Sequence, residues 1–155
     1  MHTITKLKNI LIIRSATRIL NQTIDSLKNE FPDSRVTILA PESTREVLEK
    51  HSNIDSVIST ENMGRMNLFS LKNETLRKIR RESFDMAISL YNIDHGMGYS
   101  NIDCLAWASG ATTIRGYNAS GTFAEFDGWG VLRKYLLEKT SFIWLIINGL
   151  TTIIL

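Results

Sequence analysis

Between Asn9 and Arg14 the chain reads Ile10-Leu11-Ile12-Ile13 with no polar interruption, and Met86-Ala87-Ile88-Ser89-Leu90 is a second run of the same kind. An apolar run that does not alternate marks a strand covered on both faces, the setting of a central strand in a parallel sheet. Such a sheet requires helices above and below, and the intervening sequence has them. Leu20, Ile24, Leu27 and Phe31 recur at spacings of four, three and four, one buried stripe of a helix that Pro32 ends. Residues 36–40 read as the next strand, and Pro41 with a capping box of Ser43 and Glu46 predicts a second helix reaching His51. A shorter strand follows at 54–58, then an irregular piece at 61–67 and a third helix over about 68–82. Strands and helices alternate through short connections. The expected fold class is therefore α/β, a Rossmann-like doubly wound parallel sheet with right-handed crossovers.

The stretch from 85 to 118 organises the rest. Its strand ends in a polar, glycine-bearing loop where Asn92, Asp94, His95, Tyr99 and Asn101 crowd together. Ligands of open α/β sheets sit in the crevice outside the carboxyl ends of the strands, so these residues mark the expected binding rim. Ser100 with Asp103 is a capping-box signal that starts the next helix at the same rim. Ile102, Leu105, Ala106 and Ser109 form its inner face, Gly110 stops it, and 112–114 reads as another strand.

Several chemistries are disfavoured. The turn after the first strand is Ser15-Ala16-Thr17-Arg18, without the glycines that let backbone amides approach a pyrophosphate, so no dinucleotide cofactor is expected. The net charge of +2 argues for no nucleic-acid partner. Lys72, Arg77, Lys78, Arg80 and Arg81 share a helix with Glu74 and Glu82 and read as a solvated face. His2 and His51 stand at no metal-ligand spacing, so no metal is expected. The single cysteine, Cys104, has no disulfide partner and reads as a small buried or half-buried helix residue. No secretory signal precedes the first strand, which leads us to expect a cytoplasmic chain.

Residues 1–126 form the expected domain, and 127–155 depart from it in composition. Trp129, Leu132 and Leu136 share a helical face beside Arg133, Lys134 and Lys139, and an almost wholly apolar run then opens on Phe142 and closes on Leu155. As a helix that run spans roughly 21 Å, short of the roughly 30 Å hydrocarbon core, so insertion part-way fits better than a full crossing. Trp144 and the preceding cations have the character of an interfacial belt and a cytoplasmic flank. The expectation is a C-terminal apolar helix held at the inner membrane, and its rival is a terminal helix docked on the sheet.

Gly98-Tyr99-Ser100-Asn101-Ile102-Asp103 with Leu105-Ala106, then Ser109-Gly110-Ala111, then Ile114-Arg115-Gly116-Tyr117-Asn118, resembles the N-terminal half of glycosyltransferase family 9, the lipopolysaccharide heptosyltransferase family. The opening Ile10-Leu11-Ile12-Ile13-Arg14 and Phe31-Pro32-Asp33 fit the same order. The resemblance covers residues 9–123 and implies the acceptor-side half of a two-domain GT-B architecture. It implies transfer of a sugar from a nucleotide-sugar, bound by a second domain or chain, to a glycan or glycolipid acceptor. Arg14, Ser15, Thr17, Asn92, Tyr99 and Asn101 would then line the acceptor side. Members of the family usually carry a Gly-Asp pair after the first strand whose aspartate is taken as the base; here no Asp or Gly falls after Arg14 until Asp25. Asp94 and His95 are the candidates for that role, and a non-catalytic membrane-associated scaffold is the alternative.

Overall fold

The computed structural model describes residues 8–14, 18–61, 68, 71–94 and 96–154, with the side chains of 142 and 145–154 left out. Among them, six strands make one sheet: β1 (Asn9–Ile13), β2 (Arg35–Pro41), β3 (Ser56–Thr60), β4 (Met86–Leu90), β5 (Thr113–Tyr117) and β6 (Phe123–Phe126). Their order is β3-β2-β1-β4-β5-β6, with β1 to β5 parallel and β6 antiparallel to β5. The apolar run predicted to be central is central: Ile12 pairs with Ile38 on one side and Ile88 on the other.

Successive side chains of a strand point to opposite faces, and β1 fills two cores at once. Ile10 and Ile12 join Leu20, Ile24 and Leu27 of helix α1 (Leu20–Glu30). Leu11 and Ile13 join Ile79 of α3 (Asn73–Arg81), Leu105 and Ala106 of α4 (Ser100–Ala108), and Val131 of α5 (Gly128–Ile154). Full burial of such a side chain contributes roughly 1.5–3 kcal/mol, so the β1 run alone is a large share of the driving force. The architecture is the expected Rossmann-like α/β sheet.

Local departures from the expected elements have identifiable causes. β3 starts at Ser56 rather than 54, because Asp55 first clamps the start of β2: its amide donates to the Val36 carbonyl at 2.9 Å and its carboxylate accepts from the Val36 amide at 2.7 Å. The second helix opens as a 3-10 turn (Glu42–Thr44) before α2 (Arg45–Glu49), and no side-chain cap forms from Ser43; the Thr44 hydroxyl instead donates to the Pro41 carbonyl at 2.9 Å. α3 begins at Asn73, later than 68. β6 was not expected, being short and mostly exposed.

The C-terminal segment is one continuous helix, α5, from Gly128 to Ile154. Trp129, Leu136 and Leu137 face outward, with Trp129 78% exposed, while Val131, Lys134 and Glu138 face the domain. α5 starts against Trp107, near the end of α4, and Glu138 meets the start of α4, so the two helices run antiparallel. The remaining helix, from 139 to 154, is about 24 Å long and continues past the rim formed by the carboxyl ends of the strands. Ile143 and Trp144 are exposed on it. Among the described residues, no helix is long and apolar enough to cross a membrane.

Candidate functional site

The rim carries polar groups from four successive positions. Arg14 follows β1, and its amide donates to the Leu39 carbonyl at 3.0 Å, while its Nε is buried with no partner among the described residues. Ser15 and Thr17 lie outside the described residues, as does His95. After β4 come Tyr91, Asn92 and Asp94; after β5 come Asn118 and Ser120; Tyr99 and Asn101 stand at the start of α4.

The expected base and binding residues are only partly gathered. The Asp94 carboxylate accepts the Ser120 hydroxyl at 2.7 Å, and its carbonyl accepts from the Asn118 amide group at 3.3 Å. Asn118 in turn accepts the amides of Ser120 and Thr122 through its side-chain oxygen. Asp94 is therefore turned toward the turn after β5, where one of its oxygens braces that turn. Tyr99 packs its ring on Tyr91 at 5.2 Å, and its hydroxyl accepts the Asn92 amide at 3.2 Å. Asn101 lines a hollow of about 380 Å³ with Met97, Gly98, Ser100, Glu138 and Lys139. Asn101 therefore stands beside open space at the start of α4, between the buried Ser100 and Ile102.

Of the residues that fix the rim, Tyr91 and Glu138 were not singled out in the sequence, and Asp103 and Lys134 were read in other roles. Asp103, wholly buried, accepts the Tyr91 hydroxyl at 2.6 Å and Lys134 Nζ at 2.5 Å. It therefore does not close the capping box with Ser100; the start of α4 has no side-chain cap from Ser100. Glu138 reaches across from α5, its two oxygens accepting the amides of Gly98 at 3.0 Å and Ser100 at 3.3 Å. A carboxylate is favourable there because the first amides of a helix lack partners and carry partial positive charge. Lys134 also sits 4.4 Å above the Tyr91 ring, so the cation assigned by sequence to a membrane flank is instead part of the interior. One sequence signal was available: an aspartate one residue from Ile102 in a helix with a buried face, with a lysine on the next helix to pair it.

Electrostatics follow from this packing. Burial, and then the Asp103 carboxylate, push the Tyr91 hydroxyl well above the ordinary tyrosine value, so it remains a neutral donor. Burial likewise raises the half-buried Cys104 thiol, with Asp103 adding to the effect, which leaves it protonated and unsuited to nucleophilic work. Close approach sets one further residue type: a Cβ at Gly116 would fall 2.1 Å from the Tyr91 hydroxyl oxygen, so β5 must pass the ring without a side chain. Among the described residues, no group of three or more His, Cys, Asp and Glu could hold a metal ion.

No family model matches the chain, and no curated protein matches it. Solved structures do. A glycosyl transferase family 9 protein from Veillonella parvula DSM 2008 superposes with a TM-score of 0.53 and 28% identity, over 72% of this chain and 32% of that one. The E. coli ADP-heptose LPS heptosyltransferase II superposes with a TM-score of 0.52 and 14% identity, over 70% of this chain and 30% of that one. The chain thus spans about a third of the length of these structures. The similarity to family 9 glycosyltransferases that its motifs suggest is present in its structure.

Proposed function

We propose that this chain works in sugar transfer, as the acceptor-side half of a family 9 glycosyltransferase fold that meets its nucleotide-sugar on a second domain or chain. The observation that carries the reading is the superposition on a glycosyl transferase family 9 protein at 28% identity over 72% of the chain. The acceptor is a lipopolysaccharide or another surface glycan, and the sugar a heptose or hexose. In the reaction an acceptor hydroxyl attacks the anomeric carbon, the bond to the nucleotide phosphate breaks, and the hydroxyl proton passes to a base. Asp94 and His95 are the candidates for that base, and Arg14, Ser15, Thr17, Asn92, Tyr99 and Asn101 for contacts to the acceptor.

The projecting end of α5 supports attachment to a membrane surface. Trp144 and Ile143 are exposed next to Lys139, and the sequence beyond them is almost wholly apolar. Such a segment lies in the interface or inserts part-way. Removal of residues 142–155 should shift the protein from vesicle-bound to free in a sedimentation assay, and unchanged partitioning would refute the attachment.

A second reading is favoured by the engagement of Asp94 with Ser120: a binding or scaffold protein that keeps the fold without the base. Incubation of membranes containing the protein with radiolabelled nucleotide-sugars separates the two. Asp94→Asn keeps the acceptor for Ser120 but not the proton acceptor for chemistry. Transfer that falls at least about a hundredfold in this variant, or in one altered at His95, supports the enzyme. Transfer untouched by both changes removes them as the base, and absence of transfer in the unaltered protein with a donor-binding partner present favours the scaffold.

A further inference from the structure

All three tryptophans of the chain stand on α4 and α5, two helices that cover the same face of the sheet, and all three are open to solvent: Trp107 is 48% exposed, Trp129 78% and Trp144 68%. An indole is ordinarily among the more buried side chains, so three on one side of a domain call for a cover. The Trp107 indole lies against Gly128, at the start of α5, and Trp129 follows directly. Down the outer side of α5, Trp129, Leu132, Leu136, Thr140 and Ile143 recur at spacings of three, four, four and three, which is one line along a helix. Leu136, Leu137, Ile143 and Trp144 are exposed, and a shallow hollow of about 590 Å³ runs among Trp129, Leu132, Leu136 and Leu137. From Trp129 to Trp144 the line is about 22 Å long.

The charges of α5 are sorted between its two sides. Glu138 is the one acidic side chain in residues 128–155, and it is turned to the amides of Gly98 and Ser100. Lys134 is taken by Asp103. Just before the helix, Asp127 accepts the Gly130 amide at 2.7 Å. Arg133, on the wall of the hollow, and Lys139, on the flank of the line, are exposed and have no carboxylate partner among the described residues. Beyond Asp127 the outer side therefore offers hydrocarbon and positive charge only.

Whatever covers such a line must present hydrocarbon beside negative charge along its whole length. A second copy of the same face would bring hydrocarbon but set the same two cations against each other. The surface of an anionic bilayer supplies both. We propose that α5 lies lengthwise in the surface of an anionic membrane, with Trp129, Leu132, Leu136 and Trp144 among the headgroups, Arg133 at the lipid phosphates and Lys139 reaching them from the flank. This rests on the attachment proposed above for the projecting end and adds the orientation of the domain: the apolar end supplies most of the affinity, and the folded part of the helix lays the domain flat. A helix with its side chains is roughly 10–12 Å across, so the hollow at Asn101, which Glu138 and Ser141 line, is held about one helix diameter from the lipid. A glycan carried by a lipid of the same bilayer reaches it there.

The test uses the full chain with one tryptophan kept at a time. Trp107→Phe with Trp144→Phe leaves Trp129, and Trp107→Phe with Trp129→Phe leaves Trp144. The vesicles contain phosphatidylglycerol and a phosphatidylcholine brominated high on its acyl chains, which quenches an indole at the interface. In vesicle-bound protein both indoles should shift their emission to the blue and lose about half of their intensity or more. Arg133→Gln with Lys139→Gln, with an unchanged circular dichroism spectrum, should weaken partitioning to these vesicles by about tenfold or more and leave partitioning to phosphatidylcholine alone unaltered. A bound chain in which Trp144 is quenched and Trp129 is not would mean that the apolar end inserts steeply on its own; the proposal would fail while the attachment stood. Failure of the unaltered chain to sediment with vesicles would overturn both. Trp129 emission that moves to the blue with protein concentration, in the absence of vesicles, would assign the face to a second copy and likewise overturn the proposal.

Discussion

Asp103 and Lys134 meet at 2.5 Å across the interface of α4 and α5, with the carboxylate wholly buried and the lysine side chain 17% exposed. The pair joins α5 to the rest of the domain through charge, alongside the apolar contact of the buried Val131 with the core. Removing one member leaves the other's charge in a low-dielectric interior, which typically costs about 3–5 kcal/mol. Lys134→Met should therefore lower the urea unfolding free energy by roughly that amount. Adding Asp103→Leu to Lys134→Met should recover part of the loss, leaving the Tyr91 hydroxyl as the unpaired group. Equal stability of Lys134→Met and the unaltered chain would mean that the pair is open in solution.

Stability should fall as the solution becomes alkaline. Burial raises Tyr91 and Tyr117 above the ordinary value of 10.0, and Cys104 above its ordinary 9.0. A folded value above the unfolded one means that the unfolded chain releases its protons first as pH rises. The stability is thus fully present below about pH 9 and declines beyond it. Urea midpoints from pH 7 to 10.5 should show this decline, and Tyr91→Phe should make it shallower. A flat profile in the unaltered chain would contradict the burial of these groups.

Gly116→Ala should be among the most damaging single-methyl additions in the sheet. The new Cβ would meet the Tyr91 ring as well as its hydroxyl, at 2.4 Å and 2.1 Å, so either β5 or the ring must move. Overpacking of this kind costs typically about 1–3 kcal/mol. Tyr91→Phe should not rescue it, since the ring carbons are also in the way, whereas Tyr91→Ala should relieve the clash. Thermal unfolding of the three variants distinguishes these cases.

Glu138→Ala should loosen the start of α4. Loss of a helix-capping acceptor costs about 1 kcal/mol, and here two amides lose a partner. Amide exchange at Gly98 and Ser100 should speed up, with Glu138→Gln giving an intermediate effect because it retains one oxygen acceptor. Unchanged exchange in Glu138→Ala would show that the amides are satisfied by solvent alone.

How far the sequence carried the description depends on the range of the interaction. The apolar runs of β1 and β4 determine which strands are central, because few environments other than a sheet covered on both faces suit them. The end of α4 is legible at Gly110, where the backbone takes a φ of +84°. What failed were readings in which a side chain had two available partners. Asp103 has the spacing of a helix cap, yet the partner it takes is Lys134, on a different helix. Lys134 has the neighbours of a membrane flank, yet it lies inside. β6 escaped notice because its register depends on pairing with β5, and its own residues are largely solvent-exposed. At the rim, the location of Asn101 beside open space follows from sheet topology, whereas the turn of Asp94 toward Ser120 depends on a loop that periodicity does not describe.

The inverted dressing of α5, with ionic groups sealed beneath and indoles and leucines displayed above, has a consequence for mutational tolerance. On a typical outer helix, isosteric hydrocarbon replacements are damaging underneath and conversions to glutamate or lysine are harmless on top. For this helix the penalties for misfolding should concentrate where charge is deleted, and the visible side should tolerate polar replacement without unfolding. On the proposed attachment to a membrane, whatever is lost there would be lost as adhesion, so a survey scored by abundance and one scored by partitioning would highlight opposite sides of the same helix.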